Sequence, residues 1–469
     1  MIRLQCWAYI PAVPCNRSFT PVKSGFTSAN FEGAAAGAKP SHDKITEEVK
    51  RIVRPCNALR RCWIVSALLL VVFANRITWG APGSIFSIIP SPSPNVRGNT
   101  LNAVAAISAT DAWAVGFQND NQLNGSRTLT EHWDGTQWSV VPSPNPGSTP
   151  SCIGQNTGNV LNAVAAISPN NVWGVGFSFG CSSLLKPMIL HWNGSKWRTV
   201  SSPPLLTNDN SALNDILAFS ASNIYAVGYQ PAANGAVQTL VEHWDGTAWS
   251  VVPTPNGNNT GSPLNAISGT SPSDIWVVGD LAAPNTPVLT LTEHFDGVSW
   301  TVIPSPSPIT GSDLDQNVLT GVKAFAPNNV TAVGFTLDFA NQRELTLVEH
   351  WDGTSWKVVP SPNQSEDVGS LNTLTRISGF GPHDLYAVGF YADAQTGGQP
   401  TALVEHFDGS GWSIIPSPSD GVAQQLNGVF ALPRSRNIWT VGAFSTNGAD
   451  PETGLLQVPQ TLVLFSPGG

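Results

Sequence analysis

The chain has 469 residues, of which only 11% are charged, with 43 Gly and 38 Pro; turns are therefore frequent and an architecture of long charged helices is excluded. The formal net charge is −9, but residues 1–80 carry 11 Lys and Arg against 4 Asp and Glu, leaving 11 against 27, a net of −16, for the remainder. An acidic body argues against nucleic acid or an anionic membrane surface as partner.

Residues 1–60 mix Pro, Ala, Gly and Lys without sustained periodicity, and no fold is expected there. Residues 61–81 read as a signal-peptide-like segment. Arg60-Arg61 precede the apolar run Trp63–Phe73, which ends at Ala74-Asn75-Arg76. That run is too short for a bilayer core of roughly 30 Å, which takes about twenty helical residues. A basic flank, a short apolar core and a following small residue fit a secretory signal, with Val72-Phe-Ala74 or Thr78-Trp-Gly80 as the cleavage site. A retained membrane anchor is the rival reading. The stretch before the apolar run is long for a signal, so a start downstream of Met1 is expected.

Residues 83–469 are repetitive. The phrase Thr128-Leu-Thr-Glu-His-Trp-Asp-Gly returns at Met188, Thr239, Thr290, Thr346 and Ala402 in near copies. Each unit opens on a phrase like Leu101-Asn-Ala-Val-Ala-Ala-Ile-Ser108, begun again at Leu161, Leu213, Leu264, Leu319, Leu374 and Leu426. The spacings are 60, 52, 51, 55, 55 and 52 residues. Four short β-type runs make up a unit: a (Leu101–Ser108), b (Ala112–Phe117), c (Leu129–Trp133) and d (Trp138–Val141). A polar turn with Asn or Asp joins a to b. Asp134-Gly135 joins c to d as a hairpin. Pro142 ends d, as suits an outer edge. Four antiparallel strands in fifty-odd residues describe a propeller blade.

Fourteen of the 17 Trp occupy fixed places in b, c or d, where large flat rings fill the space between twisted neighbouring sheets. Run a is rich in Ala, Gly and Ser, as expected where blades converge on an axis. The last unit supplies only a, b and c (Leu462–Phe465). Its missing d run is found at the other end, where Gly83–Pro94 matches Gly409–Ser419 with Phe86 in the Trp place. The expectation is an all-β, seven-bladed propeller of four-stranded antiparallel blades, closed by the N-terminal strand Ile85–Ile89 on the last blade.

The residues resemble the kelch-type propellers. Asn223-Ile-Tyr-Ala-Val-Gly228 followed by Glu242-His-Trp-Asp-Gly-Thr-Ala-Trp249 has that family's order and spacing, over residues 83–469, but the second Gly of its Gly-Gly pair is replaced by Phe, Tyr, Asp or Ala. The copper centre of kelch-type sugar oxidases has no counterpart here: the propeller has four Tyr, and its two Cys are expected to pair with each other. The Asp-Gly-x-x-Trp runs are one residue short of a sialidase Asp-box. The Trp-Asp dipeptides lack the period and the Gly-His element of WD propellers.

Six His (132, 191, 243, 294, 350 and 406) stand on run c, five preceded by Glu. With strands about 4.8 Å apart, copies on the third strand stand on the order of 15 Å from one another, whereas ligands of one metal lie about 2 Å from it. Packed, hydrogen-bonded structural histidines are expected, with no metal and no cofactor. The Trp ladders are read as core packing. Binding candidates are instead the unrepeated aromatics Phe179, Phe339 and Tyr391, with Tyr229 at a strand end. The second place of run a forms a polar ring of Asn102, Asn162, Asn214, Asn265 and Asn427 with Thr320 and Thr375, suited to a ligand or to capping strand starts. Asp215, Lys323 and Arg376 break the repeat in run a. The b–c and inter-blade loops vary while the a–b turns are uniform, so recognition is expected on the b–c face.

Four of the six Cys lie in residues 1–62. Cys152, in the connection from unit one to unit two, and Cys181, in the b–c loop of unit two, are expected to form a disulfide in an oxidising compartment. The reading is a secreted or cell-surface monomeric binding module for a carbohydrate, peptide or surface partner, with no membrane span in the mature form. A secreted carbohydrate-active enzyme and a structural envelope component are the alternatives.

Overall fold

The computed structural model describes residues 84–468 apart from 121–124, 149–156, 182–183, 206–209, 233–234, 256–260 and 451–454. The expectations for residues 1–60 and 61–81 lie outside the described residues. The described chain forms seven four-stranded antiparallel sheets. Blade one is β2 (Asn99–Ser108), β3 (Asp111–Asp120), β4 (Gly125–Trp133) and β5 (Trp138–Val140). Blade two is β6 (Gly158–Ser168), β7 (Asn171–Phe179), β8 (Lys186–Trp192) and β9 (Trp197–Val200). Blade three is β10 (Ala212–Ser220), β11 (Asn223–Pro231), β12 (Val237–Trp244) and β13 (Trp249–Val251). Blade four is β14 (Leu264–Ser271), β15 (Asp274–Leu281), β16 (Leu289–Phe295) and β17 (Trp300–Val302). Blade five is β18 (Gln316–Ala326), β19 (Asn329–Asp338), β20 (Arg343–Trp351) and β21 (Trp356–Val358). Blade six is β22 (Leu371–Gly381), β23 (Asp384–Ala392), β24 (Thr401–Phe407) and β25 (Trp412–Ile414).

Blade seven joins the two ends of the described chain. Strands β26 (Ala423–Leu432), β27 (Asn437–Ser445) and β28 (Gln460–Ser466) are completed by β1 (Ser87–Ile88), which pairs Ser87 with Phe465 and Ile88 with Leu464. The closing strand is shorter than Ile85–Ile89, although the Ile89 amide still donates to Val463 O at 2.9 Å. Phe86, in the Trp place, is 1% exposed.

Strands b and c run further than their apolar patterns. In blade one they pair as far as Asp120 and Gly125, and in blade five as far as Asp338 and Arg343. The ladder uses backbone groups, so polar side chains do not end it.

The fixed Gly of strand b has a steric cause. It faces the leading Leu where strand a bulges: Leu101 pairs with Gly116, the register then shifts past Asn102, and the other blades repeat this. A Cβ at Gly228 would stand 2.0 Å from Ala212 O, and one at Gly116 2.0 Å from Thr100 O. Because backbone blocks the space, Gly228→Ala is expected to cost about 3 kcal/mol, read as a lower thermal midpoint; an unchanged midpoint would show that the strand yields freely.

Between blades, a strand-b ring packs on the c and d rings of the next blade. Trp113 lies 5.0 Å from Trp192 and 5.4 Å from Trp197, while Trp439 closes the circle at 5.3 Å from both Trp133 and Trp138. Such pairs add to the area they bury. Blade five breaks the seam: Thr331 takes the aromatic place, and Phe325 packs against the Leu374 and Leu385 cluster of blade six. Along the axis, Val104, Val164, Ile216, Ile267, Val322, Ile377 and Val429 form a level of β-branched side chains, each less than a tenth exposed.

Candidate functional site

The antiparallel order puts the b–c hairpins and the d–a connections on one face. That face is pinned by a residue type the repeat phrases did not single out, a fully buried Asn two places before the leading Leu. Asn159 accepts from the Gly147 amide at 2.7 Å and donates to Ser126 O and Ser148 Oγ at 3.1 and 3.0 Å. Asn317 ties Val288 O to Ile309, and Asn372 ties Glu344 O to Gln364 and Ser365. The Pro-Ser-Pro repeats add hydroxyl staples, with Thr128 to Ser143, Thr290 to Ser305, Thr346 to Ser361 and Thr461 to Ser91 all at 2.7 Å. The signal was present in the sequence as the recurring Asn99, Asn159, Asn317 and Asn372, but only the fold reveals that the last three bridge separate loops, while the Asn99 side chain bonds Asn95 within its own connection.

The predicted polar ring forms and engages itself. Asn102 donates to Leu161 O, Asn162 to Leu213 O, Asn214 to Leu264 O, Asn265 to Leu319 O, Thr320 to Leu374 O, Thr375 to Leu426 O and Asn427 back to Leu101 O, over 2.6–3.0 Å. Each bulge turns its side chain toward the next blade, so these donors serve the ring. Asn265 also donates to Asp280 at 3.2 Å; burial pushes that carboxyl up to about 7, against the lowering effect of this bond.

The four aromatic candidates separate. Phe339 is 41% exposed just after β19. Phe179 and Tyr391 lie on strands rather than in loops and are half-buried; the Phe179 ring stacks 6.5 Å from Phe177, and Tyr391 pairs with Asn372 and Thr401. Tyr229 is a correction: it is 5% exposed and packs among Val160, Phe177, Leu185 and Ala212, because the strand-b place after the Gly turns inward between blades. Cys181 follows β7, is exposed and is not a free thiol, while Cys152 lies outside the described residues.

The strand-c histidines are built into the blades. His132, His294 and His406 bond Asp111, Asp274 and Asp384 at 2.8–2.9 Å, and His191 and His243 bond Asn171 and Asn223 at 2.9 and 3.0 Å. His350 instead meets Thr331 at 3.4 Å. All but His350 lie 4.2–4.5 Å from a strand-b ring. The preceding Glu131, Glu242, Glu293, Glu349 and Glu405 are completely buried. Burial raises Glu131, Glu293, Glu349 and Glu405 to about 8; it raises Glu242 only to about 7, against the lowering effect of Ser202 Oγ, which donates to it at 2.6 Å.

The three residues that break run a meet at the axis. Asp215, Lys323 and Arg376 all line one central cavity of about 400 Å³. Arg376 of blade six donates to Thr320 O at 2.6 Å and reaches Asn214 O of blade three at 3.4 Å, so its guanidinium crosses the axis. Asp215 accepts from the Ile216 and Ile267 amides at 2.9 and 3.0 Å. Burial raises its pKa, while Arg376 and these amides act to lower it. Burial pushes the Lys323 ammonium down.

No family model matches the chain, and no curated protein is similar to it in sequence. Among solved structures, it is similar to the RRP9 WD40 repeats, at 10% identity and a TM-score of 0.48, over 83% of this chain and 98% of that one. It is also similar to the SapL1 lectin in complex with alpha methyl fucoside, at 13% identity and a TM-score of 0.36, over 69% of this chain and 98% of that one. A polysaccharide lyase, the PL25 ulvan lyase, is similar at 9% identity and a TM-score of 0.45, over 82% of this chain and 95% of that one. Likeness at this level says nothing of what this chain binds.

Proposed function

We propose that the chain is an exported propeller that binds a neutral, hydroxyl-rich partner, a carbohydrate or a peptide, through its b–c and inter-blade loops. The observation that carries this reading is a loop face pinned by buried Asn and hydroxyl staples while its outer residues differ from blade to blade. A rigid frame with variable, polar loops reduces the ordering cost of recognition. The loops are rich in Asn, Gln, Thr, Ser and Gly, which suits hydroxyl and amide partners better than phosphates, for which Arg and Lys are wanted. The kelch-type relation and a monomeric state belong to this reading. So does export, supported by the apolar run Trp63–Phe73.

Screening the full chain on glycan and peptide arrays beside a hydrolase panel tests the proposal. Saturable binding without turnover supports it, turnover favours a carbohydrate-active enzyme, and silence in both favours a structural envelope role. For a captured partner, Phe339→Ala or Tyr391→Ala is expected to weaken binding about tenfold at an unchanged thermal midpoint. Loss of binding only with changes in the a–b turns would move the site to the other face.

Export also implies the bridge between Cys152 and Cys181. Secreted, unreduced protein is expected to show neither as a free thiol, and reduction is expected to cost about 2–4 kcal/mol. Alkylation of both cysteines without prior reduction would refute the pairing.

A further inference from the structure

The axial cavity lies away from the loop face. Its lining begins at the level of Asp215 and Arg376 and extends to Pro433, in the a–b turn of blade seven. Arg376 spans the axis at the end nearer the Asn and Thr ring. A ligand therefore enters from the a–b face and meets Arg376 as the floor.

Within the cavity the charges are unequal. Two cations face one carboxylate: Asp215 and Arg376 attract one another without a direct ion pair, and Lys323 makes none among the described residues either and lies 5.6 Å from the Phe325 ring centroid. A lysine that only partly reaches solvent and has no carboxylate partner is costly to a fold. The same position is Ala105, Ala165 and Leu217 in blades one to three, so nothing in blade architecture requires a cation there. The surrounding wall is mixed: the β-branched level, Ala165 and Phe430 form its apolar part, and Ser268 and Ser378 stand at the level of Lys323.

We propose that this cavity is a binding site for a small organic carboxylate, whose anionic group pairs with Lys323 above the Arg376 floor while its apolar body lies against the Val and Ile level. One unmatched cation calls for a monoanion rather than a phosphate. The site does not depend on the loop-face reading and is tested without it.

The experiment titrates the full chain with benzoate, with benzyl alcohol as the uncharged match and sodium chloride at equal ionic strength, read by calorimetry and by protein methyl signals. Benzoate is expected to saturate and to perturb Val and Ile methyls of the axis, with benzyl alcohol at least about tenfold weaker. Lys323→Met is expected to weaken benzoate at least about tenfold, and without benzoate to melt at or above the parent temperature. Ala165→Leu, which fills the cavity but keeps the lysine, is expected to abolish binding and provides the test should the Met variant not fold. Equal binding of benzyl alcohol, a response that chloride reproduces, benzoate binding undiminished in either variant, or a Lys323→Met protein that folds but melts lower than the parent would each overturn the proposal.

Discussion

Removing residues 81–95 is expected to open the ring and lower the thermal midpoint by on the order of 10 °C, or to drive aggregation outright. The deleted segment carries Phe86, 1% exposed among Tyr386, Val388, Val404 and Leu462. Loss of a buried Phe side chain alone costs about 3–5 kcal/mol. The deletion also removes the staple from Ser91 to Thr461 at 2.7 Å and the bond from the Thr461 amide to Ser93 at 3.0 Å. Strand β28 would then present an unpaired edge, a template for pairing with another molecule. Phe86→Ala should reproduce the packing loss without opening the edge, so its midpoint should fall while it stays monodisperse. A truncated chain that melts like the parent and elutes as a single species would mean that β1 contributes nothing to closure.

The second large effect is on pH. Glu131, Glu293, Glu349 and Glu405 have folded-state values near 8, against an ordinary 4.5, with burial as the cause. The native state thus holds these protons where the unfolded chain releases them. Their stabilising contribution is complete below pH 4.5 and is lost as pH rises toward about 8. Burial lowers His191, His243 and His350 from 6.5, which removes stability as pH falls below that value and offsets part of the gain on the acid side. The glutamate effect is therefore clearest from about pH 6.5 to about pH 8.5, where each side chain is expected to cost on the order of 2 kcal/mol. Thermal midpoints should fall across that interval. Glu349→Gln should flatten the profile and raise the midpoint at the alkaline end while leaving the acid end unchanged. A midpoint that climbs with pH over the same interval would show that these carboxyls are hydrated or paired in solution.

Architecture was legible in the residues because a blade is a local object. A unit of fifty-odd residues carries its own turns, apolar alternation and edge proline, so strand order, blade number and the closing role of residues near Phe86 can be derived without knowing how blades meet. The roles of polar side chains could not be derived in that way. Asn102 suited either a ligand or the capping of a strand start, and only the assembled ring shows that its partner is Leu161 O, in the next blade. Tyr229 looked like a strand-end platform, yet the twist of its blade carries it into the Val160 and Leu185 cluster. Glu131 looked like the neighbour of a histidine, yet stacking of blades removes it from water entirely. Asp215, Lys323 and Arg376 stand in three different blades, and only closure of the ring brings them to one cavity. Periodicity within a unit is set by the chain's own backbone, whereas burial, donor partners and charge neighbours are set between units. The sequence by itself determined the blade and the number of blades; the tertiary structure decided what each polar group faces.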